Sequence, residues 1–219
     1  MLKYPCLVLD HDDTVVKSEI TVNYPCFLKS LGKFRPGETM EYTEFVDWCF
    51  RCEFTEFLRI KYNFTEEELL DEYRMWQEYS KTRTPPPYEG IRELIYEQKK
   101  RGGLVCVASL SSRENILRDY KTHFGIEPDL IFSCDDPRDQ RKPNPYPLEQ
   151  IMKHYGLSPS QLLMVDDLQT GSQMAAKAGV PMAFAAWSRQ ECPNVLKAMS
   201  EISDFTFHST EELHKFLFD

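Results

Sequence analysis

The sequence predicts an α/β protein in which a parallel sheet is interrupted, after its first strand, by an all-helical insertion. Three observations lead there. A strand-like apolar run, Cys6–Leu9, ends at Asp10, and the next such run, Leu104–Ala108, comes only after a long helical interval. Within that interval, from about Ser18 to Thr84, apolar residues recur at helical spacing. Beyond Pro85-Pro86-Pro87 the chain alternates helix and strand, as a parallel sheet with crossover helices requires.

Each element has a local reason. In the insertion, Phe45, Trp48, Cys49 and Cys52 share a helix face, and Thr65-Glu66-Glu67-Glu68 forms a capping box before Leu69, Leu70, Tyr73 and Trp76. Three consecutive prolines cannot continue a helix and favour an extended return linker. The expected division is therefore residues 1–17 with 85–219 as an α/β core, and 18–84 as a small helical domain. A helix over 89–101 stops at Gly102-Gly103, strand Leu104–Ala108 follows, and Ser111-Ser112-Arg113-Glu114 caps the next helix. Then come a strand over 130–133, a helix over 145–155 ending at Gly156, and a strand over 162–165 that terminates in Asp166-Asp167. A helix over 171–178 closes at Gly179, a strand covers 181–185, and Ser209-Thr210-Glu211-Glu212 boxes the last helix.

Composition narrows the function classes. With 219 residues the chain suits one core carrying a smaller insertion. Its 26 basic and 35 acidic residues give a net charge of -9, which repels nucleic acids and anionic membrane surfaces. No apolar run approaches the roughly 20 residues needed to cross a bilayer. The N-terminus lacks the pattern of a signal peptide, so a cytoplasmic location is expected, without nucleic-acid or membrane partners. Seven cysteines, an odd number, fit reduced thiols. The Cys49-Phe50-Arg51-Cys52 spacing has no second ligand pair for zinc and reads as structural.

Ligands of open parallel sheets bind at the carboxyl ends of strands. At those ends the chain offers Asp10-His11-Asp12-Asp13-Thr14, then Ser109, a loop with Lys142-Pro143, and Asp166-Asp167. Residues two apart at a strand end face one side, so Asp10 and Asp12 can share a cleft. Carboxylates crowded together need a compensating cation, and an all-oxygen set suits Mg2+ with a substrate phosphate. Ser109 and Lys142 would then stabilise charge on phosphoryl oxygens. Phosphoryl transfer is the chemistry this set fits.

Through Leu9-Asp10-His11-Asp12-Asp13-Thr14-Val15 the chain resembles the haloacid dehalogenase superfamily of phosphohydrolases. Val107-Ala108-Ser109, Arg141-Lys142-Pro143-Asn144-Pro145, and Val165-Asp166-Asp167 with Ala178-Gly179 resemble its later motifs. The helical insertion is similar to the cap domain of the phosphoglycolate phosphatase and β-phosphoglucomutase branch. The resemblance implies a Rossmann-like core and a phosphatase acting on a small phosphorylated metabolite. It further implies that Asp10 attacks phosphorus to give an aspartyl phosphate and that Asp12 serves as general acid and base. Mg2+ would be held by Asp10, the backbone carbonyl of Asp12, and Asp167, with Asp166 assisting, while Ser109 and Lys142 bind the phosphoryl group.

The first motif departs from the family pattern at two positions. Asp13 stands where glycine is usual, so the turn must accept a side chain, and His11 replaces an apolar residue. In the fourth motif Thr170 takes the place of a second aspartate, and the adjacent Asp166-Asp167 pair resembles the Glu-Asp variant. Two other readings compete. A phosphoryl-binding module of the receiver kind would lack the helical insertion after its first strand. A sugar phosphomutase would carry a histidine in the insertion where this chain has Val22.

Overall fold

A strand buried on both faces belongs in the middle of a parallel sheet. All four residues of β1, Cys6–Leu9, are buried, and the strand pairs in parallel with β2, Leu104–Ala108, on one side and β4, Leu162–Asp166, on the other. The computed structural model describes residues 2–219. With β3 (Ile131–Phe132), β5 (Met182–Ala185) and β6 (Phe205–Phe207), it contains a six-stranded sheet of order β3-β2-β1-β4-β5-β6. Every neighbouring pair is parallel. The order reverses at β1, where β2 lies to one side and β4 to the other; this is the switch point at which such sheets open a ligand crevice.

The chain divides into two units, one running up to Lys17 and resuming over Pro86–Asp219, the other Ser18–Pro85. In the first, helices cover both sheet faces. Leu7, Leu9, Val105, Val107, Leu163 and Val165 alternate along their strands and join one cluster with Leu94 and Ile95 of α5 (Ile91–Lys100), Tyr120 of α6 (Arg113–Phe124) and Leu213 of α10 (Thr210–Phe218). Cys6, Val8, Cys106 and Met164 are buried too but outside that cluster, as the two-residue period of a strand demands. Pro86 and Pro87 run extended beside the first-strand loop: Lys17 N donates to the Pro86 carbonyl and Tyr88 N to the Val15 carbonyl.

The second unit has its own aromatic core. Phe27 of α1 (Tyr24–Phe34) lies 4.9 Å from Phe45 of α2 (Tyr42–Arg51) and 5.6 Å from Phe57 of α3 (Phe54–Tyr62), measured between ring centroids. Burying a ring of this size is worth roughly 2–3 kcal/mol. Helix α4, Glu66–Lys81, starts at Thr65 with both bonds of the expected capping box. Glu68 also accepts a forked pair from Arg35, whose guanidinium donates to the Tyr62 and Asn63 carbonyls as well, tying the end of α1 to the start of α4.

Two sequence expectations about helix starts need correction. The last helix begins at Thr210 with Ser209 accepting from Glu212 N, but the Glu212 carboxylate turns one residue further back and accepts from His208 N. At α6 the cap is Ser112, which accepts from Asn115 N, so Glu114 plays no part in a box. Sequence reasoning also passed over helix α9, Pro193–Ile202, and the edge strand β6, whose three residues, Phe-Thr-Phe, are too few for a period. The other helices are α7, Tyr146–Tyr155, and α8, Gln169–Ala178. Among the described residues no helix is long and apolar enough to cross a membrane. All seven cysteines are among the described residues, and none forms a disulfide.

Burial pushes the Glu72 carboxyl of α4 up to about 7. Because this folded-state value lies above the unfolded one, its contribution to stability is complete below the ordinary glutamate range and is lost as pH rises through about 7. Glu72→Gln should therefore be more stable than the wild type at pH 8, by on the order of 2 kcal/mol, with the gap closing near pH 5. Denaturant melts at the two pH values check this; an equal difference at both would contradict it.

Candidate active site

The ladder between β1 and β4 runs one residue beyond the strand, with Asp10 N donating to the Val165 carbonyl at 2.9 Å. That register sets Asp10 beside Asp166 and Asp167, and the pairing of Leu9 with Val107 brings Ser109 to the same sheet edge. After Asp10 the chain makes a tight loop: Val15 N and Val16 N both donate to the His11 carbonyl, and Asp13 N donates to that of Val16. The turn passes through the left-handed region at Asp13, where φ is 56°. Aspartate reaches that region more readily than most side chains.

One oxygen from each of Asp10, Asp166 and Asp167, all buried, lies within 4.8 Å of the others. Lys142, itself buried, spans two of them, with Nζ 2.6 Å from Asp10 Oδ1 and 2.6 Å from Asp166 Oδ2. The second Asp166 oxygen accepts from Leu168 N at 2.9 Å. Asp167 Oδ1 lies 3.5 Å from the Thr14 hydroxyl, and its Oδ2 accepts from Arg189. Gly171, in the first turn of α8, makes this packing possible: a Cβ there would fall 2.0 Å from Asp166 Oδ2.

Burial pushes the Asp10 carboxyl up to about 6; Lys142 opposes the shift, and the charges of Asp167 and Asp12 add to it. Asp166 is likewise raised to about 6, chiefly by burial and against the pull of Lys142. Burial also disfavours the Lys142 ammonium, yet the charges of Asp10 and Asp166 outweigh it and hold its pKa above the ordinary lysine range. Among the described residues, five carboxylates, Asp10, Asp12, Asp13, Asp166 and Asp167, thus meet two cations, Lys142 and Arg189, at one sheet edge. This excess of hard oxygen donors fits a divalent ion such as Mg2+.

The structure therefore brings together Asp10, Lys142, Asp166 and Asp167. Asp12 is partly exposed and outside the three-oxygen group, close enough for its charge to push up the pKa of Asp10. Ser109 is buried, its amide donating to the Phe132 carbonyl and its hydroxyl accepting from Ser111 N at 3.2 Å. His11 is a packed ring, with Nε2 3.0 Å from Asp119 Oδ2 of α6. Sequence reasoning missed Arg189, which lies in an unremarked Ser-Arg-Gln turn after β5 and is fully buried. The available signal was Asp13: a carboxylate in place of a glycine calls for a matching cation.

Residues 7–185 match the family described as haloacid dehalogenase-like hydrolase. Pyrophosphatase PpaX of Halalkalibacterium halodurans is 28% identical over 148 residues, which cover 63% of this chain and 68% of that protein. The match to the PpaX of a Bacillus cereus strain covers 56% of each chain, so it spans little more than half of that relative's length. Among solved structures, a putative phosphoglycolate phosphatase from Lactobacillus plantarum superimposes with a TM-score of 0.79 at 18% identity, covering 98% of this chain and 100% of that one. A CbbY variant from Rhodobacter sphaeroides, in complex with xylulose-(1,5)bisphosphate, gives 0.72 at 18% identity, covering 97% and 96%. The chain belongs to the haloacid dehalogenase-like hydrolase family.

Gly171→Ala should lower turnover at least tenfold while leaving the protein folded, because the added methyl displaces the Asp166 carboxylate and with it the Lys142 bridge. Steady-state rates alongside circular dichroism check this; wild-type turnover would show that the close approach is dispensable.

Proposed function

We propose that this protein is a phosphatase that hydrolyses a small phosphorylated metabolite with Mg2+ through a phosphoryl group carried on Asp10. The observation that carries the reading is the Lys142 ammonium held 2.6 Å from both Asp10 and Asp166 beside a third carboxylate, Asp167. Asp10, the backbone carbonyl of Asp12, and Asp167 would hold the ion, with Asp166 assisting. Bound there, Mg2+ supplies charge neutralisation for the carboxylates and for the phosphoryl oxygens.

The chain's own residues divide the chemistry. Lys142 keeps Asp10 oriented, and with Ser109 it receives the phosphoryl oxygens as negative charge gathers on them. The Asp10 carboxylate attacks phosphorus; the bond from phosphorus to the ester oxygen breaks, and Asp12 gives that oxygen its proton. Water then attacks the same phosphorus and loses its proton to Asp12, releasing phosphate and restoring both carboxyl groups. The partial exposure of Asp12 suits a group that exchanges protons with substrate and water, whereas buried Asp10 is shielded from competing reactions.

Support for this class of substrate comes from the relatives, whose names cover phosphoglycolate and pyrophosphate and one of whose structures holds a sugar bisphosphate. A turnover panel spanning these with Mg2+ identifies the substrate. Water, not a sugar hydroxyl, is the proposed acceptor, because Val22 cannot donate, accept or relay a proton where the phosphomutase pattern has histidine.

Two outcomes are expected. Asp10→Asn, nearly isosteric, should cut turnover by more than about a thousandfold in a folded protein, and Asp12→Asn should be less harmful with good leaving groups, which need less protonation. A near wild-type rate in the Asp10→Asn variant excludes the mechanism. With β-glucose 1-phosphate and a sugar bisphosphate primer, free phosphate should appear faster than glucose 6-phosphate; the opposite order would make the enzyme a mutase.

A further inference from the structure

Arg189 is a charged side chain with almost no access to water, and the loop that holds it is rigidly fastened. It is 1% exposed and heads the largest fully buried side chains of the protein. Its amide donates to the Ala186 carbonyl at 3.2 Å, and its own carbonyl accepts from Cys192 N at 2.9 Å. Two residues before it, the Trp187 indole donates to the Thr14 carbonyl, fastening this turn to the loop that follows Asp10. Removing a guanidinium this far from water is costly unless carboxylates meet it.

Two do. Arg189 NH2 donates to Asp167 Oδ2 and lies 3.6 Å from Asp13 Oδ2, while the other Asp13 oxygen accepts from the Tyr88 hydroxyl at 3.0 Å. Asp13 thus holds a backbone conformation that glycine would adopt more easily, and its carboxylate is as buried as the guanidinium. Neither residue has a place in the hydrolysis itself. Each makes sense beside the other: the carboxylate offsets most of the charge that Arg189 would otherwise bring to the metal ligand, and the guanidinium keeps Asp13 from repelling Asp167.

We propose that Arg189, with Asp13 as its charge partner, is a positioning residue for the cation site, holding Asp167 by Oδ2 so that only Oδ1 is offered to the ion. This rests on the reading of Asp10, Asp166 and Asp167 as that site. The offered oxygen is the one facing the Thr14 hydroxyl at 3.5 Å. Restriction to one oxygen has a chemical consequence. Mg2+ takes six donors in a tight octahedron and accepts carboxylates singly, whereas Ca2+ takes six to eight and profits from a carboxylate that grips with both oxygens. Arg189 therefore works against Ca2+ more than against Mg2+.

Titration calorimetry of the metal-free protein with Mg2+ and with Ca2+ tests the idea without reference to turnover. In Arg189→Met the guanidinium no longer holds Oδ2 of Asp167, so Ca2+ should gain affinity at least fivefold relative to Mg2+. Arg189→Lys, which retains charge but not the planar fork, should fall between. Asp13→Gly takes one carboxylate away from the guanidinium, leaves more of its charge to bear on Asp167, and should weaken both ions. The double variant Asp13→Gly, Arg189→Met removes both buried charges, so it keeps the test open if Arg189→Met does not fold; it should show the same gain for Ca2+. Loosening of the loop alone would weaken both ions together, so an unchanged ratio in either folded variant overturns the proposal. Failure of the wild-type protein to bind either ion would instead overturn the underlying reading of the site.

Discussion

Carboxylates packed out of water at the ends of two neighbouring strands are the constraint to which the rest of the site answers. β1 and β4 run side by side in parallel, so the residues that follow them, Asp10 on one and Asp166-Asp167 on the other, cannot avoid each other. Left alone, such a group would take up protons or push the strands apart. Lys142 compensates on one side by bridging Asp10 and Asp166, and Arg189 on the other by bridging Asp167 and Asp13. Both cations are buried, and the carboxylates still outnumber them. Under the proposed function, this residual negative charge would be met by a divalent ion and, with it, by a substrate phosphate.

Much of the surrounding structure serves this arrangement. The first strand is uniformly apolar and central, so its end is fixed from both sides before the loop begins. The loop itself closes on the His11 carbonyl, and the His11 ring is anchored to Asp119 of the α6 helix, so the turn next to Asp10 is held through main chain and side chain alike. Gly171 lets the first turn of α8 approach Asp166 closely enough to leave no slack. Position 13 shows the same logic: an aspartate in a left-handed turn is tolerable because Tyr88 and Arg189 both meet its carboxylate.

What could be read from the sequence was what local chemistry or strand ends determine. The capping box at Thr65 and Glu68 formed as expected, because both bonds lie within one turn. The box at Ser209 half formed; whether Glu212 reaches its own cap or His208 depends on how the chain enters from β6, a tertiary matter. The strand ends bearing Asp10, Ser109 and Asp166-Asp167 were legible because short apolar runs stop at polar residues there. Lys142 was legible only through its neighbours, Arg141 and Pro143. Arg189 was not, since nothing in a polar turn says that one of its side chains points inward and is covered. The edge strand β6 was too short for a pattern, and its burial comes from α10, whose Phe216 packs on Phe205 and Phe207.

The proposed chemistry rests on Asp10 carrying the phosphoryl group between two half-reactions. Rapid acid quench during turnover, followed by borohydride reduction and peptide mass spectrometry, reads this directly, since an acyl phosphate is reduced to an alcohol and a free carboxylate is not. Covalent catalysis at this residue predicts homoserine at position 10, appearing within the first turnover and decaying once substrate is spent. An Asp10 that stays unmodified throughout, or a reduced carboxyl at another aspartate, would contradict it.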